Sequence, residues 1–342
     1  MRFDRAFSRV IMASSVLAVV PAVAYAQSSN NCPAYNAGAP ASTESVTRDA
    51  CIKGADILTF MTPQLGNGLA GGNTTPGQGG TLGGFPHFAI ALRVTGAPDA
   101  NLPAFGSVNL RGTGSTPAEN IATEKKAFGL AAIDAAVGVF GGINLGVGTV
   151  GGIDALLSAT YVPNVDGNNF TVKADNPLSI GYGARIGLFN GAGLLPSVGV
   201  SYLMRSLPKT TLKATAGSSG SVTLQDLDLK TTSWRITASQ SLIFLGLNAG
   251  FGNDTYDAST GFSAVVTAGG PSGTMPLRTA SAKMERSNWF VGATMNFIVL
   301  KLFAEYGSVS GGNLATFNSF GGSATSVNDA KNYFSAGVRL GF

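Results

Sequence analysis

The chain has 342 residues and a formal net charge of +4, and only 12% of its side chains are charged, against 44% that are hydrophobic. Lysine and arginine are scattered without a basic cluster interleaved with aromatic residues, which argues against nucleic-acid binding. Two cysteines and one histidine are too few for a structural zinc site, and no cofactor is expected. After residue 26 no apolar run approaches the ~20 residues of a spanning helix, so the chain must hide its apolar surface in another way.

Residues 1–26 have the features of a secretory signal peptide. Three arginines lie within the first nine residues, residues 10–20 form an apolar core, and Ala24-Tyr25-Ala26 offers the small residues that signal peptidase accepts. A membrane anchor is disfavoured because the apolar run is short and Pro21 interrupts it. We predict cleavage before Gln27. The removed segment contains three arginines and one aspartate, so the formal charge of the mature chain falls to +2.

Residues 27–85 form a separate N-terminal segment, which we expect either to lie in the periplasm or to plug the lumen of a barrel. Cys32 and Cys51 are the only cysteines, and in an oxidising periplasm they are predicted to form a disulfide, with two free thiols as the alternative. Residues 42–60 have helical character, and a glycine-rich linker is predicted over residues 63–84.

Residues 86–342 are dominated by period-two alternation, which places alternate side chains on opposite faces of a strand. In residues 178–188, six apolar side chains alternate with glycine, serine and arginine. A tight turn follows at residues 190–193, and the next strand repeats the pattern. The same alternation occurs in residues 88–94, 133–139, 153–161, 198–204, 234–239, 245–252, 289–297 and 300–306.

The connections between these segments alternate in length. Short turns near 190–193, 242–244 and 298–300 are interleaved with long polar segments at 95–125, 162–176, 208–230, 256–284 and 309–330. Aromatic residues lie near strand ends, where interfacial girdles would form: Tyr161, Phe189, Trp234, Trp289, Phe297 and Tyr306. We therefore predict an all-β fold, an antiparallel transmembrane β-barrel of 10–14 strands, ten of them clear. The segment before it is helical and glycine-rich.

The face opposite the apolar one carries charges that are predicted to point into the lumen. These residues are Arg93, Asp134, Asp154, Arg185, Arg205, Arg235, Lys301, Glu305 and Arg339. Because unpaired charges are too costly in a dry interior, the lumen must be wet, internally paired, or both. Two interpretations stay open: a basic excess that selects anions in a pore, and a structural salt-bridge network.

The last ten residues alternate without a break and end on an aromatic. Phe334, Val338, Leu340 and Phe342 share one face. This strand resembles the C-terminal assembly signal of bacterial outer-membrane β-barrels. The resemblance implies a bacterial outer-membrane location, contact with lipid, and recognition by the barrel-assembly machinery during insertion. It also implies a periplasmic C-terminus, which assigns the long loops to the cell exterior.

The N-terminal segment followed by a large barrel is similar in architecture to long-chain fatty-acid transporters of outer membranes, whose N-terminus plugs the lumen. No residue motif carries this resemblance, and the predicted lumen arginines do not suit an apolar conduit. Function inferred from it is an analogy.

The leading functional expectation is a passive channel or transporter for small solutes or hydrophobic compounds. The alternative is a non-transporting barrel that displays surface loops in a structural or adhesin-like role. An enzyme is not expected, because His87 is the only histidine and has no nucleophile or acid at a diagnostic spacing. The G-x-G-x-x-G match at residues 66–71 has no preceding strand, so it does not predict a dinucleotide site.

Overall fold

The structure is a computed structural model that describes residues 25–26, 32, 43–108, 118–167, 170–216, 220–266, 273–312, 314–321 and 328–341. Most of the predicted signal peptide and the terminal Phe342 lie outside these residues. The first elements in chain order are β1 (Tyr25–Ala26), α1 (Thr43–Ala70), β2 (Phe88–Pro103), β3 (Asn120–Ile121), β4 (Thr123–Phe140), β5 (Ile143–Asn144), β6 (Gly148–Val150), β7 (Gly152–Tyr161), β8 (Val165–Asp166) and β9 (Phe170–Ala174). They are followed by β10 (Leu178–Gly191), β11 (Ser197–Ser206), β12 (Thr210–Ala216), β13 (Gly220–Leu242), β14 (Leu245–Val266), β15 (Gly273–Phe297), β16 (Leu300–Val309), β17 (Ser319–Phe320) and β18 (Lys331–Gly341).

Ten of these strands form a closed ring. Each of β2, β4, β7, β10, β11, β13, β14, β15, β16 and β18 pairs antiparallel with its neighbours in that order. The last strand then pairs with the first, from Phe334↔Gly96 to Gly341↔Ala89, which closes the sheet on itself. Closure removes the exposed edges that an open sheet would leave. The predicted antiparallel β-fold is confirmed, at the lower end of the predicted strand number.

The two faces of the ring differ as the alternation predicts. Along β10, Leu178, Ile180 and Tyr182 are more than half exposed, whereas Gly181 and Arg185 on the opposite face are buried. The same pattern holds on β2, where Leu92 is exposed and its neighbour Arg93 is buried. An apolar outer band of this kind matches the surface that meets lipid in a membrane barrel. Among the described residues, no helix combines the length and apolarity needed for a membrane span.

Aromatic side chains border this band at both of its ends. At the end with long loops, the rings of Trp289 and Tyr306 make an edge-to-face contact, with 5.9 Å between their centroids, and Tyr161 and Trp234 are also exposed. At the end with short turns, Phe297 is exposed and Phe189 is half-buried. This is the placement expected of interfacial girdles.

The strands rise well beyond the apolar band at the long-loop end. Within the long polar segment 208–230, β12 pairs with the first part of β13 and forms a hairpin. The long segment 256–284 also continues as a hairpin, since β14 and β15 stay paired as far as Val266↔Gly273. The outward side chains there are polar, Lys283 and Glu285 among them. The apolar alternation that marks a membrane strand is therefore lost although the strand continues.

Helix α1 lies inside the ring. Its residues from Asp49 to Ala70 are buried, with the exception of the half-buried Leu65, and the helix contacts seven of the ten ring strands. The main apolar core is formed between this helix and the inner wall and includes Phe60, Leu224, Phe262 and Phe290. The helical character predicted for residues 42–60 therefore continues as far as Ala70.

Pro63 lies within α1, which makes the predicted linker start wrong. A proline in a helix interior removes one backbone hydrogen bond. Burial on all sides outweighs this local cost, because most helical stability in proteins comes from tertiary packing. Residues 71–84 then leave the helix and run along the inner wall towards the short-turn end, where Gly84 lies against Gly138 and Gly141. We call residues 43–84 the lumen segment.

Strand β1 pairs antiparallel with Lys283 and Ala282 of β15. These two residues, Tyr25 and Ala26, lie directly before the predicted cleavage site. A signal peptidase cut after Ala26 would remove β1 from the mature protein and leave the ten-stranded ring unchanged.

Candidate functional site: the occupied lumen

The inner wall of the barrel carries the charged residues that the alternation predicts there. Eight of the nine predicted lumen residues are buried, with exposed fractions of 4% or less, namely Arg93, Asp134, Asp154, Arg185, Arg205, Arg235, Glu305 and Arg339. Lys301 is half-buried. That each of these side chains points inward follows from the alternation of side chains along its own strand. Their partners depend on the register between strands and on the lumen segment.

Arg93 on β2 and Asp134 on β4 form a close ion pair in the wall. Arg93 donates from Nε to Asp134 Oδ2 at 2.6 Å, and Ser158 donates to Asp134 Oδ1, also at 2.6 Å. Arg205 lies 4.0 Å from the same carboxylate. Two buried arginines thus share one acid. A buried charge left without such a partner is strongly destabilising, which gives Asp134 a central structural role.

Arg185 and Asp154 form a second pair, between the adjacent strands β10 and β7. Asp154 also accepts hydrogen bonds from the backbone N–H of Leu82 at 3.1 and 3.2 Å. Arg185 reaches the lumen segment as well, since it donates to the carbonyl of Gln78 at 3.2 Å and to the hydroxyl of Thr75. This pair therefore ties residues 75–82 to the inner wall.

Three wall arginines converge on the C-terminal end of α1. Arg235 and Arg205 donate to the carbonyl of Ala70 at 2.7 and 2.9 Å, and Arg93 donates to the carbonyl of Gly71 at 2.8 Å. The last carbonyls of a helix have no partner within the helix, and the negative end of its dipole attracts cations. The arginines supply both hydrogen-bond donors and positive charge to the end of α1, and they hold this end inside the ring.

A cluster around Glu305 extends this network with residues that the sequence did not suggest. Glu305 accepts hydrogen bonds from Tyr333 Oη at 3.0 Å and from Asn73 Nδ2 at 2.7 Å. Asp254 lies 3.6 Å from Arg235, and Tyr256 is fully buried beside it. Continuing the parity of β14 past residue 252 would have placed Asp254 and Tyr256 inward. Because the outward side chains of β14 are no longer apolar there, the alternation in the sequence does not reveal these two residues.

Lys301 and Arg339 lie at the short-turn end and differ from the other wall charges. They face each other directly in the register of β16 and β18. The described structure has no ion pair within 4.0 Å for Lys301 or Arg339. Arg339 donates to the carbonyl of Pro76 at 2.7 Å.

At the long-loop end, the loop before β17 closes over α1. Asp56 is fully buried and accepts three hydrogen bonds, from the backbone N–H of Phe317 at 3.2 Å and from the backbone and side-chain nitrogens of Asn318 at 2.8 Å. The rings of Phe60 and Phe320 stack with centroids 4.2 Å apart. Burial raises the pKa of the Asp56 carboxyl to about 6, and the hydrogen bonds from Asn318 and Phe317 oppose this rise.

Cys32 and Cys51 are joined by a disulfide at the same end of the barrel, which ties α1 to the chain before it. Lys53, one turn from Asp49, is 3.0 Å from that carboxylate and 3.1 Å from Glu119, which precedes β3. Helix α1 is thus attached to the wall at its C-terminal end and to the loops near its N-terminal end.

The remaining predicted residues have structural surroundings. His87 is exposed at the short-turn end, and its Nδ1 lies 2.9 Å from the carbonyl of Gly84. Phe334, Val338 and Leu340 are exposed on the outer face of β18, as the assembly-signal resemblance requires. No group of acidic, cysteine or histidine side chains in the described ranges could hold a metal ion.

No family model and no curated protein matches the chain. Among solved structures, the beta domain of the Bordetella autotransporter BrkA is 14% identical, with 74% of this chain and 98% of that chain covered and a TM-score of 0.32. OmpTΔL8, a loop-deletion mutant of an outer membrane protein of Vibrio cholerae, is 10% identical, with 75% and 98% coverage and a TM-score of 0.17. An anion-selective porin from Comamonas acidovorans is 10% identical, with the same coverage and a TM-score of 0.18.

These neighbours are outer-membrane β-barrels, but TM-scores this low support no argument about function. The architecture is established by three features of this chain, namely the closed ring, the apolar outer band and the aromatic girdles. The molecule has the fold of an outer-membrane β-barrel. The lumen of this barrel is filled by its own N-terminal segment.

Proposed function

We propose that the protein is a closed, non-transporting outer-membrane barrel that keeps its lumen segment in place and presents its N-terminus and extended hairpins at the cell surface. One observation carries this proposal: α1 is buried in the ring from Asp49 to Ala70 and contacts seven of its strands. Of the two functions expected from the sequence, this supports the structural or display role over the passive channel.

The energetics of the lumen favour permanent closure. Withdrawal of the lumen segment would take the carbonyls of Ala70 and Gly71 away from Arg93, Arg205 and Arg235. It would also break the apolar core between α1 and the inner wall. Each buried hydrogen bond to a charged group contributes about 1.5–3 kcal/mol, and the apolar contacts add to this. Spontaneous opening is therefore rare.

The direction of the helix supports surface display. Asp56, in the N-terminal half of α1, contacts the loop between β16 and β18, whereas the C-terminal end of α1 lies deep in the ring. Bacterial barrels place long loops outside and short turns in the periplasm. The N-terminal end of α1 therefore lies towards the outside of the cell, and the lumen segment runs through the ring to the start of β2 at the periplasmic end.

A gated channel is the second candidate, because cavities remain at both ends of the barrel. One of about 210 Å³ lies near Gln64, Lys125 and Lys331 at the long-loop end, and one of about 460 Å³ lies near Asn190, Lys301 and Arg339 at the short-turn end. The lumen segment separates them. Passage through the barrel would require this segment to move.

Single-channel recording in planar lipid bilayers tests the proposal. The full chain is expected to give no conductance steps, because the lumen segment blocks the ring. A variant without residues 27–84, accepted only if its electrophoretic mobility shifts on heating as that of a folded barrel does, is expected to give steady steps. Regular conductance steps from the full chain would contradict the proposal and favour the gated channel.

A further inference from the structure

The cavity at the short-turn end is lined by two positively charged side chains. Lys301 and Arg339 line it, and none of the described residues around it is an aspartate or a glutamate. The other wall arginines at 93, 185, 205 and 235 each have a carboxylate within 4.0 Å. Lys301 and Arg339 are thus two neighbouring wall cations with no carboxylate within 4.0 Å among the described residues.

The register makes this charge pair costly. Lys301 and Arg339 are directly opposite each other on the same face of β16 and β18, and like charges in that position destabilise a sheet. Arg339 is only 3% exposed, and its Nε has no hydrogen-bond partner among the described residues. A buried guanidinium donor without an acceptor is expensive. An anion beside the two side chains would relieve their mutual repulsion.

The remaining wall of the cavity is rich in neutral hydrogen-bonding groups. Asn190, Gln240 and Asn296 contribute amides, and Ser241 and Thr294 contribute hydroxyls. The volume of about 460 Å³ lies in the range of sites for small organic ligands and is larger than a bare phosphate ion requires. The amides and hydroxyls suit the hydroxyl groups of a ligand.

We propose that this cavity is a binding site for a phosphate or carboxylate group carried on a small hydroxylated molecule. The anionic group lies between Lys301 and Arg339, and the hydroxyl groups contact the amides and hydroxyls of the wall. The cavity opens at the short-turn end, which is the periplasmic side. The site lies below the helix and does not depend on whether the barrel is closed to solutes.

Calorimetric titration of the purified full chain in detergent, at low salt, tests the site with four probes. Glucose 6-phosphate and glucuronate present the two anionic groups on a hydroxylated molecule, glucose presents the hydroxyls alone, and inorganic phosphate presents the anion alone. We expect at least one of the two anionic sugars to bind with a dissociation constant below about 1 mM, more tightly than inorganic phosphate, and glucose not to bind. Which of the two binds more tightly identifies the anionic group.

Lys301→Met is the decisive variant, with Lys126→Met as its control because Lys126 lies at the opposite end and is exposed. Loss of one charge-assisted hydrogen bond should weaken binding about tenfold in Lys301→Met, and the control should bind as the unchanged chain does. Without ligand, Lys301→Met should also unfold at a higher temperature, since the like-charge repulsion is removed. The proposal is overturned if neither anionic sugar binds, if glucose or inorganic phosphate binds as tightly, or if Lys301→Met binds unchanged.

Discussion

At the scale of single residues, the buried acids hold the wall together. Asp134 and Asp154 are fully buried, and each neutralises an arginine that would otherwise be a bare charge in the interior. A buried ion pair gives little net stability relative to an apolar pair, but removal of one member is costly. The arginines at the end of α1 therefore depend on acids that lie on the neighbouring strands.

Asp134→Asn should destabilise the barrel by about 3–5 kcal/mol, because Arg93 and Arg205 then share no negative charge. Urea unfolding in lipid vesicles measures the change. Asp228→Asn is the matched control, since Asp228 pairs at 3.0 Å with a Lys230 side chain that is 66% exposed, and such pairs contribute about 1 kcal/mol or less. Equal effects of the two substitutions would contradict the role given to Asp134.

Asp56 should make the contact between α1 and the loop before β17 depend on pH. Its pKa is raised from 3.8 to about 6, so the folded form holds the proton more tightly than the unfolded chain does. The resulting contribution to stability is complete below pH 3.8 and is lost as pH rises through about 6. Hydrogen exchange of the Asn318 amide, corrected for its intrinsic rate, should therefore be slower at the acidic end of this range.

Asp56→Asn is the control for this pH effect. The amide has nearly the shape of the carboxylic acid and can still accept a hydrogen bond, but it does not titrate. The variant should show the same protection of Asn318 on both sides of pH 6. A pH dependence that persists in the variant would assign the effect to another group.

At the scale of elements, α1 is shaped to fit the ring. Three of its glycines lie against aromatic rings of the wall: Gly54 against Phe262, Gly66 against Tyr256 and Gly68 against Phe128. A Cβ at Gly66 would lie 2.6–2.9 Å from atoms of the Tyr256 ring. The glycines of the G-x-G-x-x-G match thus allow close packing of a helix against a barrel wall.

Gly66→Ala should lower the stability of the barrel by about 1–3 kcal/mol, because Tyr256 is fully buried and has no room to move. In an unconstrained helix the same change would raise stability by about 1 kcal/mol, so the sign of the change is the test. Thermal unfolding measures it. Adding Tyr256→Leu should recover part of the loss relative to Tyr256→Leu alone, and a stabilised Gly66→Ala variant would refute the close packing.

At the scale of the whole molecule, the lumen segment and the ring define an orientation. The helix points its N-terminal end towards the long loops, and the chain between Ala70 and Phe88 descends to the short-turn end. Since the strands alternate in direction around a closed ring of ten, β2 starts and β18 ends at that same end. The molecule therefore presents its N-terminal segment and its longest hairpins on one side.

A short epitope tag placed after Gln27 should bind antibody on intact cells, because Cys32 is joined to α1 at the long-loop end. A tag inserted at Gly193, in the exposed turn between β10 and β11, should bind antibody only after the outer membrane is permeabilised. Cell-surface labelling measures both. The opposite pattern would reverse the orientation and the proposed surface display.

The sequence alone determined the barrel. Strict alternation in β2, β10 and β18 sets which side chains meet lipid and which face inward, because the parity of a strand does not depend on its neighbours. The charged lumen residues followed from the same rule. The pattern was hidden in the outer part of β14 and β15, where water replaces lipid, because the outward side chains are polar there and the inward ones, Tyr256 and Phe262 among them, belong to the apolar core with α1.

Only the tertiary structure decided what fills the lumen and which charges pair. The pairing of Arg93 with Asp134, and of Lys301 with Arg339, depends on strand register. The continuation of α1 past Pro63 depends on burial that the surrounding wall supplies. The alternation of side chains is a local property of each strand. The register between strands, the closure of the ring and the position of α1 inside it arise from contacts between residues far apart in the chain.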